Sequence, residues 1–214
     1  YRVADLPPGR KAIPSRLIYT VKRDAFNRIT RYKCRLVCQG FRQRKGVDFT
    51  DTFSPVAHST CIRLAVALAT ARDMRMDHLD VTQAFLNAPL KEDEWVYVQP
   101  PPGFEVGEGK CWMILKALYG LRQSPLRWNE ELRSKILKFG FEDVGFDGCV
   151  YRRKVGNRRQ FLIVYVDDLI TLSDDEALAT EFKTYLAGQY NITDEGELKW
   201  HLGVHYERDM VKGI

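Results

Sequence analysis

Two aspartates, Asp167 and Asp168, stand side by side inside an otherwise apolar run, with Phe161-Leu162-Ile163-Val164-Tyr165-Val166 before them and Leu169-Ile170-Thr171-Leu172 after. Two ionised carboxylates in an apolar setting repel each other and favour protonation unless a cation neutralises them. Oxygen donors without sulfur suit Mg²⁺, which takes one or two carboxylates and leaves its other positions to water and phosphate. The plain alternative is a type I′ hairpin turn in which Asp-Asp only supplies turn residues, and for the doublet by itself that turn is the default. A third acid, Asp80, ends the segment Met76-Asp77-His78-Leu79-Asp80-Val81. If that segment is a strand beside the hairpin, three carboxylates cluster. Three can hold two metals, and in two-metal phosphoryl transfer ions about 4 Å apart clamp the attacking and leaving oxygens. The alternative for Asp80 is an N-cap of the turn that follows it.

The elements that must position these acids follow from periodicity. Residues 1–16, with Pro7-Pro8-Gly9, read as a linker or extended arm. Two short β-branched and aromatic runs, 16–21 and 30–39, predict a densely basic hairpin. Residues 60–71 are apolar nearly all round and predict a buried helix, capped by Ser59 or Thr60. Strands are expected at 76–81, 95–99 and 111–115, with a short turn or helix at 82–86. Ser124 as N-cap and Pro125 at the first helical position open a helix that stops at Gly140, with Trp128, Leu132 and Ile136 on its buried face. A hairpin at 149–155 and 160–166 around Gly156-Asn157 and a strand at 169–172 bracket the doublet. Ser173-Asp174-Asp175-Glu176 reads as a capping box opening a helix to Gly188, before a last pair of short strands at 198–207. Antiparallel strands without a regular βα repeat make the class α+β.

Composition narrows the partners. The 214 residues are 45% hydrophobic and 29% charged, which excludes a wholly disordered, collagenous or coiled-coil chain. No apolar stretch reaches the roughly 18 residues of a membrane span, so a soluble chain with no membrane partner is expected. Cys34, Cys38, Cys61, Cys111 and Cys149 form an odd set without Cys-x-x-Cys, against a disulfide framework or zinc module and in favour of a reducing compartment. The chain opens on Tyr1 with no secretory leader, as a piece of something longer would. Residues 1–50 carry thirteen Lys and Arg against three acids, a net of +10, while the whole chain nets +5 and the remainder therefore −5. A basic front before an acidic body fits a polyanion partner held against carboxylates; a merely solvated basic surface is as ready an explanation.

The run Tyr165-Val166-Asp167-Asp168 resembles the catalytic hairpin of reverse transcriptases, and the resemblance is closest to the polymerase domain of copia-type LTR retrotransposons. It extends in order through Tyr32–Phe41 (YKCRLVCQGF), Thr52–Ala57 (TFSPVA), Leu79-Asp80-Val81 with Ala84-Phe85-Leu86, Gln99–Phe104 (QPPPGF), Leu118–Trp128 (LYGLRQSPLRW) and Leu198–Val204 (LKWHLGV), covering roughly residues 19 to 206.

That resemblance implies a right-hand polymerase without a complete thumb. Fingers are expected at 17–71 and 89–120, palm at 72–88 and 121–197, with an antiparallel sheet backed by helices, and a primer-grip hairpin with a truncated end at 198–214. It implies that Asp80, Asp167 and Asp168 are catalytic and bind two Mg²⁺, with Mn²⁺ as a substitute and Asp168 in a supporting role. Lys33 and Arg35 match the fingers positions that contact the triphosphate, for which an ammonium and a forked guanidinium are suited. The amides of Val81 to Ala84 are expected to face the triphosphate, Phe85 to exclude a ribose 2′-OH, and Tyr119 and Gly120 to pack on the nucleotide and templating base. Tyr165, Trp200, His201, Leu202 and Gly203 match primer and template contacts. Lys183 or Lys199 as the acid for pyrophosphate is a weaker expectation than a solvated role, and for Arg152, Arg153, Lys154, Arg158 and Arg159 an edge-protecting charge cluster is at least as ready a reading as a backbone track.

The implied partners are an RNA template, a DNA or RNA primer and deoxynucleoside triphosphates, with protease, integrase and ribonuclease H domains of a Pol polyprotein missing from this chain. The implied setting is intracellular, in cytoplasmic virus-like particles and also nuclear, and not secreted. A non-catalytic or relic nucleic-acid-binding fragment is the competing expectation.

Overall fold

The computed structural model describes residues 1–145 and 147–208; the part of the expected terminal segment beyond 208 lies outside them. In chain order the elements begin with β1 (Arg2–Asp5), β2 (Ile13–Arg23), β3 (Ile29–Cys38) and α1 (Ser59–Ala71). Next come β4 (Arg75–Val81), α2 (Ala84–Asn87), β5 (Val96–Gln99), β6 (Lys110–Ile114) and α3 (Ser124–Lys138). The remainder is β7 (Glu142–Asp143), β8 (Val150–Val155), β9 (Arg158–Tyr165), β10 (Asp168–Ser173), α4 (Glu176–Ala187), β11 (Ile192–Glu197), β12 (Trp200–His201) and β13 (Val204–His205). Sheets and four helices give the mixed α and β class expected. The chain forms two compact units, Tyr1–Phe53 with Phe85–Glu131, and Ser54–Ala84 with the described residues from Leu132 onward. The boundary at Ser54 puts α1 in the second unit, dividing the expected 17–71 segment.

The first unit is built on a sheet in the order β1-β6-β5-β2-β3. β2 and β3 pair antiparallel from Ser15 opposite Cys38 out to Arg23 opposite Ile29, whereas β2 meets β5 only at Ile13 and Pro14, in parallel. Asp24 closes the hairpin by accepting from the amides of Phe26 and Arg28, both at 2.9 Å. Arg2–Asp5, within the expected linker, is an edge strand paired with β6. Four mixed residues carry no period; the partner strand makes them β, aided by the Lys110–Asp5 ion pair.

The second unit holds the sheet β11-β4-β10-β9-β8-β7. Residues opposite one another in a ladder share a face. Met76, His78 and Asp80 therefore lie with Leu172, Ile170 and Asp168 on one face, and Phe161, Ile163 and Tyr165 continue it on β9. Ile62 and Ala69 of α1 pack there against Met76, Ile163, Ile170 and Leu172. On the other face Leu79, Leu162 and Leu169 are fully buried, as is Phe182 of α4. Each such side chain is worth about 1.5–3 kcal/mol of burial. Gln160 anchors α4 by donating to the Leu178 carbonyl at 3.1 Å.

Three helix starts differ from expectation. α1 is one-sided rather than buried all round, with Leu64 70% exposed, and His58 occupies its N-cap without a side-chain bond. Asp175, not Ser173, caps α4, accepting from the Leu178 amide at 2.9 Å, because Ser173 is taken up by the end of β10. The Ser124 hydroxyl turns back to Leu118, accepting from its amide and donating to its carbonyl. The buried face of α3 is as predicted, with Trp128, Leu132 and Ile136 all 1% exposed. All five cysteines are free thiols.

Candidate active site

The β4–β10 register places Asp80 directly opposite Asp168, and the Val81 amide donates to the Asp167 carbonyl at 2.9 Å. The three acids expected to meet therefore converge at one end of the second unit's sheet. The doublet straddles the end of a two-residue loop: Tyr165 closes β9, Val166 and Asp167 form the turn, and Asp168 opens β10. Val166 has φ +59° while Asp167 is not in the left-handed region. A type I′ turn needs both central residues there, so Asp167-Asp168 is not the turn pair that the plain alternative required. A β-branched residue at positive φ is strained, and strain of this kind is held in place by surrounding packing.

Asp80 has its carboxyl pushed above the usual range, first by burial and then by the negative charges of Asp167, Asp168 and Glu195, with His78 pulling the other way. That is the electrostatic state a divalent cation relieves, and the donors are oxygens of the type Mg²⁺ takes. Among the described residues no three His, Cys, Asp or Glu side chains stand closed around one point as a preformed cage. The donor chemistry of the three carboxylates nevertheless suits the ion.

His78 sits two residues before Asp80 on the same face, and its Nε2 lies 3.1 Å from Asp168 Oδ1. The carboxylate raises the imidazole's pKa, against a smaller opposing effect of burial. His201 stands edge-on to His78 at 5.6 Å and to Tyr165 at 6.1 Å. It is 4% exposed, neither ring nitrogen has a partner, and burial lowers its pKa. His201 thereby ties the β12–β13 hairpin to the carboxylate end. In that hairpin Leu202 and Gly203 are the turn residues, at φ +50° and +79°, and Trp200 stacks on His205 at 4.4 Å. Trp200 and Leu202 are 60% and 48% exposed, so the hairpin presents apolar surface outward.

The first unit gathers a second group. Phe85 meets Tyr119 edge-on at 5.2 Å, and the Arg35 guanidinium lies 5.7 Å from the Tyr119 ring centre. Lys33 is two residues before Arg35 and on the same face of β3. Gly120, at φ +87°, passes so close to β3 that a Cβ there would strike the Cys38 carbonyl. The close approach that its missing side chain permits is thus to β3 itself. Of the four amides from Val81 to Ala84, the first two donate to the carbonyls of Asp167 and Asn191 and are committed to the protein's own backbone.

The profile described as "Reverse transcriptase (RNA-dependent DNA polymerase)" matches residues 1–212. The chain belongs to the reverse transcriptase family. It is 35% identical over 98% of its length to a retrovirus-related Pol polyprotein from transposon TNT 1-94 of Nicotiana tabacum. Identity is 36% over 94% of the chain to a retrovirus-related Pol polyprotein from transposon RE1 of Arabidopsis thaliana. A truncated transposon Ty1-A Gag-Pol polyprotein of Saccharomyces cerevisiae is 30% identical over 85%. The chain spans 16% of the tobacco polyprotein and 14% of each of the other two. These relatives agree with the copia-type resemblance drawn from the motifs.

Several charged residues of this reverse transcriptase domain are occupied structurally. Lys183 lies 3.0 Å from Asp77 and 2.9 Å from Asp194, bracing α4 to the sheet. Arg153 forks Glu181 and stacks 4.2 Å from the Phe139 ring centre, while Arg152, Arg158 and Arg159 pair with Glu142, Asp175 and Asp174. Those pairings favour the edge-protecting reading of the β8–β9 cluster over a backbone track. No described helix is long and apolar enough to cross a membrane. Periodicity missed His78, although its spacing of two from Asp80 on one strand puts both on one face.

Proposed function

We propose that this chain is the fingers and palm of an RNA-directed DNA polymerase, the first unit supplying fingers and the second the palm. The reaction is transfer of a deoxynucleotide to a primer 3′-OH along an RNA template. What carries the reading is the convergence of Asp80, Asp167 and Asp168 at one strand end, with Asp80 electrostatically frustrated.

Asp80 and Asp167 are the principal metal ligands and Asp168, one oxygen already engaged by His78, supports them. These carboxylates would hold two Mg²⁺, or Mn²⁺ in their place, which would supply Lewis acidity to the 3′-OH and to the departing pyrophosphate. Lys33 and Arg35 bind the triphosphate by charge and by a guanidinium fork. Phe85, braced by Tyr119, closes against C2′ and leaves a ribose hydroxyl neither room nor partner. Tyr165 and the Trp200–Gly203 segment position the primer end.

The test is primer extension on an RNA template with Mg²⁺ and deoxynucleotides, run beside Asp167→Asn. Extension by the parent and its collapse in the variant is the expected result. Salt-sensitive binding with no extension by the parent assigns the chain instead to a relic that only holds nucleic acid.

A further inference from the structure

The β2–β3 hairpin wears its chemistry inside out. Its register puts Ile18, Thr20 and Lys22 with Arg35, Lys33 and Arg31 on one face, and Tyr19 and Val21 with Cys34 and Tyr32 on the other. Ordinarily the cations of such a ribbon point to water and the aromatics are covered. Here Lys33 and Arg35 are half-buried, as are Ile18 and Thr20, while Tyr19, Val21 and Tyr32 are 74%, 44% and 75% exposed. Cys34 is exposed beside them. Tyr19 and Tyr32 are diagonal neighbours across the ladder, close enough for one ligand to touch both. An exposed aromatic face of this kind marks an interaction surface.

We propose that this aromatic face is a stacking platform for unpaired nucleic-acid bases, lying back to back with the cationic face of the same ribbon. Charge names the occupant. Behind the two tyrosines the other face of the ribbon carries Lys22, Arg31, Lys33 and Arg35, Arg23 and Arg28 stand at its turn end, and its one acid, Asp24, is neutralised by Arg28 at 2.8 Å. Aromatic rings on a strongly cationic ribbon bind single strands because every base offers a π face and every linkage a negative charge. Duplex bases are already stacked on one another and gain nothing from the tyrosines. The platform therefore separates unpaired strand from duplex, a distinction that phosphate contacts alone do not make. The choice of nucleic acid as partner rests on the polymerase reading.

The experiment measures fluorescence anisotropy of a labelled mixed-sequence RNA strand, alone and paired with complementary DNA, against the full chain without nucleotides or Mg²⁺. Tyr19→Ser with Tyr32→Ser is expected to weaken single-strand binding by about tenfold or more, and duplex binding by less than about twofold. The paired Tyr→Phe variant restores single-strand affinity. The salt slope of binding stays unchanged in the serine variant but falls in Lys22→Ser with Arg31→Ser. Unchanged single-strand affinity in the serine variant overturns the proposal, as does an equal loss on both ligands. A tyrosine-dependent dimer in sedimentation with RNA affinity intact also overturns it, in favour of a second copy of this chain. Failure of primer extension with selective single-strand binding retained sinks the polymerase reading and leaves this one standing.

Discussion

Asp168 stands opposite Asp80 across the β4–β10 ladder, and His78, one pleat back on the same face, holds an oxygen of Asp168 at 3.1 Å. Like charges directly opposed in a sheet are destabilising, so this pairing works against the fold. His78 offsets part of it, fixing one carboxylate while the other is left with a raised pKa.

His78 is accordingly expected to act through Asp168. Replacing it with leucine should slow primer extension by about tenfold, about 1.4 kcal/mol, in keeping with loss of one charge-assisted hydrogen bond. Glutamine, which keeps a donor, should recover most of that rate. Equal rates in the leucine and glutamine variants would remove His78 from the site.

Phe85 and Tyr119, edge-on at 5.2 Å, form a wall rather than a single gate. Phe85→Val is expected to raise ribonucleotide incorporation relative to deoxynucleotide by about tenfold or more, since the steric barrier to the hydroxyl is removed. Tyr119→Ala should give a smaller relaxation and Tyr119→Phe none. Competition of labelled ribo- and deoxynucleotides on one template reads the ratio, and an unaltered ratio in Phe85→Val rules out the steric role.

Val166 is predicted to be a stability defect retained at the site. Relief of its left-handed strain is worth about 1–2 kcal/mol, and the extra chain entropy of glycine returns about 0.5–1 kcal/mol of it. Val166→Gly should therefore melt a few degrees higher, about 1–3 °C for a chain of this size. A lower melting temperature would mean that the side chain's packing outweighs the backbone.

In the first unit, Arg127 forks the buried Glu94 through two bonds of 2.7 Å, the side chains being 4% and 1% exposed. Burial alone would push the Glu94 carboxyl up, but Arg127 and Thr50 outweigh it and hold it below the usual range. Its contribution to stability is thus present above the unfolded value of about 4.3 and is lost as pH falls through the lowered folded value. Arg127→Met, which strands the carboxylate, should cost about 3–5 kcal/mol in chemical denaturation at neutral pH. Part of that loss should be regained in acid, where Glu94 protonates; a deficit independent of pH would assign it to packing.

Periodicity and caps made the large pieces of this fold legible. The Ser124-Pro125 start and the Trp128, Leu132, Ile136 stripe specify α3 locally, and the Gly156-Asn157 turn specifies β8–β9. β1 and β11 escaped because edge strands draw their conformation from a partner; Ile192–Glu197 is acidic, mostly exposed and interrupted by Gly196. That Asp80 and the doublet each sit at a strand end was readable. That their strands are neighbours was only a condition in the pattern itself and came from the family resemblance; the β4–β10 pairing meets it. The Val166-Asp167 turn was not readable, since it depends on register and not on residue type. Nor was the outward aromatic face of β3, because alternation reveals two faces without saying which one is covered.

Gly40 and Gly120 lie so near each other that a Cβ on the first would strike the carbonyl of the second, just as one on the second would strike Cys38. Two main chains are thereby clasped with no side chain between them, and Tyr119 is bolted to the strand that carries Lys33 and Arg35, its carbonyl accepting from the Cys38 amide at 2.8 Å. Inserting a single methyl group into that clasp would prise the ring from the cations, so two residues without side chains govern the spacing of an aromatic ring and two long cationic ones.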